Sequence, residues 1–407
     1  MKDEKKAPKL RFKGFTDDWE QCKLGDVCEE VSGNNGNVKG LPILTISAAN
    51  GWMNQKDRFS QVIAGNELKK YTLLEKGHLA YNHGNSKLAK YGTVFVQNLY
   101  DQALVPRVYH SFKMKVENNP YYVEYYFAAK KLDRELARLV TSGARMDGLL
   151  NINKKDFFKI KFEVPTPVEQ SLISTILQKL DQTITLHEEK KRQLEHLKSA
   201  LLQKMFADKS EYPAIRFEGF SAEWEQRKLG DVCEPITDSI DTQKYPNEVF
   251  AEYSMPAFDA SMKPDIVLGS SMNSVRKIIT RPCLLVNKLN VRKKRIWYVK
   301  KPNKNAVCSA EFIPLHSDTV DLTFLNQVAK SETFTRYLEN HSSGSSNSQK
   351  RITPRSLMLS KLHIPTIEEQ KLIGKIFEYL DHTITLHDQK LSFLKRLKQT
   401  LLQKMFI

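Results

Sequence analysis

The sequence contains two copies of one framework, and this duplication limits the possible folds more than any other feature. Residues 10–29 recur at 215–234, where both copies contain Gly-Phe, Trp-Glu-Gln and Leu-Gly-Asp-Val-Cys-Glu. Residues 165–206 align without gaps to 365–406 and are identical at 24 of 42 positions. Such self-similarity indicates two half-chains of about 200 residues each. We call these repeated stretches the frame.

Basic residues are concentrated between the repeated stretches. The chain has 63 Lys and Arg against 47 Asp and Glu, a formal net charge of +16. Residues 30–161, the first module, hold 20 basic and 11 acidic residues, and residues 235–361, the second module, hold 19 and 11. The frame is therefore close to neutral, and the two modules share almost no sequence. Two basic modules on a neutral frame favour a polyanionic partner such as nucleic acid.

The second repeat of the frame is predicted to be a long helix. Each copy begins with Pro-Thr and continues with apolar residues at alternating spacings of four and three, over roughly 40 residues. We expect the two helices to pair as an antiparallel coiled coil within the chain, and pairing between chains is the alternative. The predicted apolar seam consists of Ile173, Leu177, Leu180, Ile184, Leu194 and Leu201, with Ile373, Phe377, Leu380, Ile384, Leu394 and Leu401 in the second copy.

Four polar residues also fall on this seam, namely His187, His387, Lys198 and Lys398. A metal or proton site is one interpretation. Polar residues that fix the helix register are the other, and this one is favoured because neither carboxylates nor cysteines cluster near them.

Both modules are predicted to be mixed α/β folds. Short apolar runs separated by Gly, Asn and Pro indicate strands, and each module has one helix late in its sequence, around 121–139 and 322–339. The predicted fold class is therefore α/β (α+β), with two mixed modules joined by two long helices and an internal pseudo-two-fold repeat.

Two stretches of the modules have the composition of nucleic-acid-binding loops. Residues 81–91 mix Asn and His with lysines and tyrosines, and residues 287–295 contain five basic residues. Each follows a hydrophobic strand, so we expect the two loops to be equivalent. Two later stretches, 142–146 and 342–351, are further candidates, and a solvated or flexible loop is the alternative for all four.

Arg and Lys suit guanine or phosphate, and Asn suits adenine. The candidate DNA-binding residues are Tyr81, Asn82, His83, Asn85, Lys87, Lys90, Tyr91, Arg107, Arg145, Arg276, Lys277, Lys288, Asn290, Arg292, Lys293, Lys294, Arg295, Gln349, Lys350 and Arg351.

Motifs for catalysis are missing from the sequence. It has no GxxxxGK[ST], GxGxxG or HExxH motif, and its five cysteines show neither a zinc spacing nor a disulfide framework. Asn118-Asn-Pro-Tyr-Tyr122 resembles the Asn-Pro-Pro-Tyr signature of amino-methyltransferases, but no glycine-rich loop precedes it, so a turn before a helix is preferred. No apolar run approaches the roughly 18 residues of a membrane span, and no secretory signal begins the chain. We therefore expect a cytoplasmic protein that is not an enzyme, with no catalytic residues, bound metal or membrane partner.

The organisation of the chain resembles the specificity (S) subunit of Type I restriction-modification systems. The resemblance covers essentially the whole chain and rests on these motifs and their second-half equivalents: Gly14-Phe15, Trp19-Glu20, Lys23–Val27, Val164-Pro165, Glu169-Gln170 and Leu180-Asp181. It implies that residues 1–164 and 207–364 are target recognition domains, each reading one half of a bipartite site in double-stranded DNA. It also implies that 165–206 and 365–407 form an antiparallel coiled coil that acts as a ruler between them.

The same resemblance implies the partners. Two methyltransferase (M) subunits dock on the frame, and two restriction (R) subunits join through them. S-adenosylmethionine, ATP and Mg²⁺ are implied for these partner subunits, and no cofactor is implied for this chain.

Two rival functions remain at this point. One is a self-sufficient methyltransferase or nuclease, which the missing cofactor loop disfavours. The other is a non-catalytic coiled-coil scaffold with general nucleic-acid binding, which predicts salt-sensitive binding that is indifferent to sequence.

Overall fold

The computed structural model describes residues 7–33, 38, 40–58, 65–84, 86–115, 117–141, 149–207, 211–344, 346 and 349–407. The chain divides into two units. The first unit comprises Met1–Glu188 and Lys390–Ile407, and the second comprises Glu189–Gln389. Each unit therefore holds one module and a part of both long helices, whereas the sequence predicted each long helix as a separate segment.

The strands of the first unit are β1 (Glu20–Lys23), β2 (Cys28–Glu30), β3 (Leu44–Ser47), β4 (Gly51–Asn54), β5 (Thr72–Glu75), β6 (Leu79–Asn82), β7 (Thr93–Val96), β8 (Gln102–Val105), β9 (His110–Met114) and β10 (Lys161–Val164). Its helices are α1 (Leu24–Val27), α2 (Gln55–Arg58), α3 (Pro120–Ala128), α4 (Asp133–Leu139), α5 (Lys154–Phe157) and the start of α6 (Pro167–Lys204).

The strands of the second unit are β11 (Glu225–Lys228), β12 (Glu234–Pro235), β13 (Ser239–Ile240), β14 (Val249–Tyr253), β15 (Asp265–Leu268), β16 (Arg276–Ile278), β17 (Cys283–Asn287), β18 (Ile296–Val299), β19 (Ala306–Cys308), β20 (Phe312–His316) and β21 (Lys361–Ile364). Its helices are α7 (Leu229–Val232), α8 (Met255–Ser261), α9 (Leu322–Lys330), α10 (Glu332–Asn340), α11 (Pro354–Met358) and the start of α12 (Ile367–Lys404).

The repeated Leu-Gly-Asp-Val sequence forms the same single helical turn in both units. It follows β1 or β11, which pair antiparallel with β10 or β21, the strands just before the long helices. The side chains of Asp26 and Asp231 cap the turn by accepting a hydrogen bond from the backbone three residues earlier. A Cβ at Gly25 would lie 3.1 Å from the carbonyl oxygen of Phe158, so glycine permits this close approach.

A buried ion pair joins the first frame repeat of each unit, residues 10–29 or 215–234, to the start of its long helix. Glu169 is fully buried and accepts two hydrogen bonds from Arg11, from Nε at 2.7 Å and from Nη2 at 2.8 Å. Glu369 is equally buried and accepts the same pair of bonds from Arg216 at 2.8 and 2.7 Å. A guanidinium that donates two hydrogen bonds to the two oxygens of one carboxylate forms the strongest type of ion pair.

The glutamine that follows each of these glutamates positions the first late helix of the module. Gln170 accepts the backbone N–H of Asn119, the N-cap of α3, at 3.0 Å. Gln370 accepts the backbone N–H of Asp321, the N-cap of α9, at 2.9 Å. The repeated Glu-Gln pair at the start of each long helix thus contacts both the first frame repeat and the module of its unit.

The two long helices run antiparallel within each unit, which confirms the predicted coiled coil inside one chain. In the first unit, Leu180 and Ile184 of α6 pack with Leu391 and Leu394 of α12. In the second unit, Leu194 and Leu201 of α6 pack against the cluster that contains Ile373, Phe377 and Leu380 of α12. Of the remaining seam residues, Ile173 and Leu177 are buried in the core of the first unit. Leu401 is half-buried in the first unit, where it packs against the cluster of Leu180 and Leu391, and Ile384 is half-buried in the second.

Ion pairs fix the register of this antiparallel pairing. Lys398 binds Asp181 in the first unit and Lys198 binds Asp381 in the second, both at 2.5 Å. Asp181 also accepts a hydrogen bond from the hydroxyl of Tyr125 at 2.9 Å. The seam lysines therefore act as partners of the repeated aspartates, in agreement with the register interpretation.

Each module contains a four-stranded sheet of the same topology, and the two modules differ in their other sheets. Four antiparallel strands lie in the order β2-β9-β6-β7 in the first module and β12-β20-β17-β18 in the second. The first module adds two-stranded sheets, β3-β4 and β5-β8, and the second adds a five-stranded sheet, β13-β16-β19-β14-β15, in which β14 and β19 are parallel. The predicted mixed α/β class is confirmed.

The single late helix expected in each module is wrong, because each is broken into two helices. Lys130, just after α3, has a φ of 59°, which helical residues do not adopt. Ser331 lies between α9 and α10 and caps α10, since its Oγ accepts the backbone N–H of Phe334 at 3.2 Å. Among the described residues, no helix is long and apolar enough to span a bilayer.

Candidate nucleic-acid interface

The two candidate loops occupy the same position in the two modules. In the four-stranded sheet of each module, the loop connects the third strand to the fourth, which lies at the edge. These strands are β6 and β7 in the first module and β17 and β18 in the second. The sequence prediction that the loops are equivalent agrees with this topology, although the loops have no sequence in common.

Each loop also pairs with the segment that precedes the last short helix of its module. In the first module the backbone N–H of Leu150 donates to the carbonyl of His83 at 3.0 Å. In the second module the N–H of Asn290 donates to Lys350, and the N–H of Ile352 donates to Lys288. The loop and the late candidate stretch of the second module thus form one continuous surface. Residues 142–146, with Arg145, lie outside the described residues, as does Asn85.

Tyr81 and His83 belong to the protein interior, so their prediction as base-contacting side chains is corrected, whereas Asn82 is only half-buried. Tyr81 is fully buried and stacks on Phe157 with ring centroids 4.7 Å apart. His83 is buried, with its Nδ1 3.2 Å from the carbonyl oxygen of Leu150. Asn82 is half-buried, and its amide donates to the carbonyl of Ile46 at 3.1 Å. β6 continues through Tyr81 and ends at Asn82, one residue before His83.

The remaining candidates of the first module lie at the surface. Lys87 and Lys90 are exposed, and Lys90 places its Nζ 5.3 Å from the ring centroid of Tyr91, which is half-buried. Arg107 is exposed in the turn after β8 and lies beside Lys70 and Lys154, which line the same cavities. Nothing in the local sequence of Lys70 or Lys154 pointed to this grouping.

Arg295 and Arg276 are engaged inside the fold, so their prediction as DNA contacts is corrected, whereas Lys277 is half-buried and meets its partners at the surface. Arg295 is only 8% exposed and donates two hydrogen bonds to Asp259 of α8, at 2.8 and 2.6 Å. Arg276 donates to Glu252 at 2.7 Å, with both side chains largely buried. Lys277 donates to the carbonyl of Thr237 at 2.7 Å and to the hydroxyl of Ser239.

Other cations of the second loop and of the late stretch 342–351 remain at the surface but are matched by carboxylates. Arg292 pairs with Glu339, Lys294 pairs with Glu332, and Arg351 pairs with Glu311. Such exposed pairs contribute only about 0–1 kcal/mol, so a phosphate can replace the carboxylate at little cost.

Three lysines, Lys288, Lys293 and Lys350, form no ion pair with any side chain in the described ranges. Lys293 is exposed, whereas Lys288 and Lys350 are half-buried. Asn290 is half-buried and has a φ of 52°, and Gln349 is exposed. The left-handed backbone at Asn290 and at Lys294 bounds a single helical turn that presents Arg292 and Lys293 outward.

The arrangement supports binding of a polyanion. Exposed cations occur on a hairpin that connects two strands of a sheet, which suits contacts to phosphates. Within the part of the chain that the structure describes, no three His, Cys, Asp or Glu side chains are grouped to hold a metal. Burial raises the pKa of the Cys28, Cys233 and Cys283 thiols to about 12, so these thiols stay protonated and unreactive.

His110, at the start of β9, is expected to make the stability of the first unit depend on pH. Burial, followed by the neighbouring His83, lowers its pKa to about 3, although its Nε2 lies 3.1 Å from the carbonyl oxygen of Ile152. The unfolded chain takes up a proton on this ring below its ordinary pKa of about 6.5, and the folded chain does not. The unfolding free energy should therefore fall as the pH decreases from 6.5 towards 3, with His110 contributing up to about 1.4 kcal/mol per pH unit.

His110→Gln removes the titration and retains a hydrogen-bonding amide, so its unfolding free energy should depend less steeply on pH than that of the wild type. Urea unfolding at a series of pH values between 4 and 7 measures this difference. Parallel curves for the two proteins would show that the ring is not held neutral in the folded state.

Comparison with known proteins agrees with this architecture. The model of the Type I restriction modification DNA specificity domain matches the chain twice, over residues 16–196 and 221–396. The Type I restriction enzyme HindI specificity subunit of Haemophilus influenzae is 25% identical over 189 residues, which span 46% of this chain and 41% of that protein. The crystal structure of the Type-I restriction-modification system S subunit from M. genitalium has the same fold, with a TM-score of 0.61 and 14% identity over 98% of this chain and 99% of that one. Because the family model covers most of the sequence in two copies, this chain belongs to the family of Type I restriction modification DNA specificity domains.

Proposed function

We propose that this chain is the DNA-recognition subunit of a Type I restriction-modification complex and has no catalytic activity of its own. The observation that carries the proposal is the occurrence of two family domains in one chain, each with a basic module of different sequence on a repeated frame. Each module reads one half of a bipartite site in double-stranded DNA. Different loops at the same position of the same sheet explain how one architecture reads two unlike half-sites.

The frame sets the distance between the two half-sites and holds the partners. The ion pairs Asp181–Lys398 and Asp381–Lys198 fix the helix register, which supports a constant spacing. Two methyltransferase subunits dock on the frame, and two restriction subunits join through them. S-adenosylmethionine, ATP and Mg²⁺ are held by those subunits. The complex works in the cytoplasm, where it meets the host DNA.

The spacing offers a direct test of the proposal. The chain is produced with its methyltransferase partner, its methylated site is mapped in genomic DNA by long-read sequencing, and duplexes carrying that site are tested for binding. Insertion of one base pair between the half-sites should abolish specific binding, since a rigid frame cannot follow both halves. Equal affinity for duplexes of any sequence would contradict the proposal, as would methylation by the purified chain alone.

Lys293 and Arg295 form a matched pair of substitutions in the second loop. Lys293→Ala should weaken binding to all duplexes and reduce the slope of log affinity against log salt by about 1, because one phosphate contact is lost. Arg295→Ala should leave that slope unchanged and instead lower the unfolding free energy by about 1.5–3 kcal/mol, because a charged hydrogen-bonded pair is broken. Equal salt slopes for the wild type and Lys293→Ala would remove this lysine from the interface.

A further inference from the structure

A basic cleft in the first module is the strongest unexplained feature of the molecule. Two cavities, of about 360 and 550 Å³, share Lys70, Arg107 and Lys154 in their walls. Glu30 lines the smaller cavity, and His83 and His110 line the larger one.

Strand pairing brings the three cations together from distant parts of the sequence. β5 and β8 pair antiparallel with Thr72 opposite Val105, so Lys70, before β5, and Arg107, after β8, lie at the same end of this sheet. The carbonyl of Ile152 lies 3.1 Å from Nε2 of His110, at the start of β9, which brings the segment that carries Lys154 to this end as well. This convergence is a property of the fold and cannot be read from any local motif.

The charge of the cleft is positive and comes from these three side chains. Glu30 is the single carboxylate in the described walls, and it pairs with Lys154 at 2.7 Å. Arg107 forms no ion pair with any carboxylate among the described residues. His110 stays neutral because burial keeps its pKa low. A guanidinium and two ammonium groups around a concave surface suit a phosphate oxyanion.

We propose that this cleft binds one backbone phosphate of the half-site read by the first module, through Arg107, Lys154 and Lys70. The proposal rests on the proposed function and adds a specific anchor to it. The anchor fixes the position of the module on the duplex without reading sequence, while the β6–β7 loop beside it reads the bases.

The cations that line this cleft are not repeated at the equivalent positions of the second module. Residues 309–311, just before β20, contain no Lys or Arg where the first module has Arg107 before β9, and Pro354 aligns with Lys154. Glu311 accepts a hydrogen bond from Arg351 instead. The two modules therefore hold the DNA backbone differently.

The test combines protein and DNA substitutions. The chain with its methyltransferase partner is titrated against duplexes in which single phosphates of the first half-site are replaced by neutral methylphosphonates. Arg107→Gln should weaken binding to the natural duplex about tenfold and should abolish the effect of the methylphosphonate at one position. Lys70→Gln and Lys154→Gln should behave alike, whereas their exposed neighbours Lys69→Gln and Lys155→Gln, which lie outside the cavity walls, should retain the response to that methylphosphonate.

The outcomes separate this proposal from the proposed function. In one outcome the wild type prefers the mapped site, but the effect of Arg107→Gln adds to the effect of the methylphosphonate at every position. This result contradicts the phosphate-binding cleft and agrees with the proposed function. In another outcome, millimolar ATP or inorganic phosphate displaces DNA from the wild type but not from Arg107→Gln, and no methylphosphonate position is coupled to Arg107. This result also contradicts the proposed DNA anchor and indicates a site for free phosphate compounds. Wild-type binding without any sequence preference overturns the function, and the cleft as a half-site anchor falls with it.

Discussion

Replacement of Arg216 by alanine is expected to lower the unfolding free energy of the second unit by about 3–5 kcal/mol. The substitution leaves the carboxylate of Glu369 fully buried and deprived of the guanidinium that donates two hydrogen bonds to it. An uncompensated charge in the interior is far more unfavourable than the loss of an exposed pair. Urea unfolding followed by tryptophan fluorescence measures the effect, since Trp224 is buried in the same core.

Removal of both charges provides the control. The double substitution Arg216→Leu with Glu369→Leu should recover most of the lost stability, because a buried ion pair replaced by apolar side chains is often neutral. Arg11→Ala should have the same effect in the first unit, where Arg11 binds Glu169. A loss below 1 kcal/mol for both single arginine variants would show that these pairs do not hold the frame together.

Replacement of Gly374 by alanine should destabilise the second unit by about 1–3 kcal/mol. Gly374 lies within α12, and a Cβ there would overlap Oγ1 of Thr323 and lie 2.9 Å from the backbone nitrogen of Phe324. The start of α9 would have to move away from the long helix. In an exposed helix interior the same substitution stabilises by about 1 kcal/mol, so the predicted sign is the reverse of the general rule.

The equivalent position in α6 supplies a matched control for Gly374. Ser174 is fully buried there and donates a hydrogen bond to the carbonyl of Gln170 at 2.7 Å, so the first unit already accommodates a Cβ. Ser174→Ala should therefore change stability by less than about 1.5 kcal/mol. An increase in unfolding free energy for Gly374→Ala would contradict the close approach of α9 and α12.

The repeated frame was predictable from sequence because its signals are local. A proline-threonine start and a seam of regularly spaced apolar residues define α6 and α12 without tertiary information. The equivalence of the two loops was also predictable, since a hydrophobic strand precedes each of them. The breaks at Lys130 and Ser331 were missed because apolar residues continue across both positions.

The status of individual cations could not be predicted, because it depends on partners far away in the sequence. Arg295 is bound by Asp259, 36 residues earlier, and Arg292 by Glu339, 47 residues later. Conversely, Lys70 and Arg107 meet only because β5 and β8 pair. A run of basic residues therefore marks a candidate loop but does not show which of its side chains remain at the surface.

Each module is expected to read one half of a bipartite site. Exchange of residues 30–161 for the corresponding module of another specificity subunit tests it, with long-read mapping of methylated positions in cells that also contain the methyltransferase subunit. One half of the methylated site should change, while the other half and the spacer length stay the same. A change in both halves, or in neither, would contradict the account.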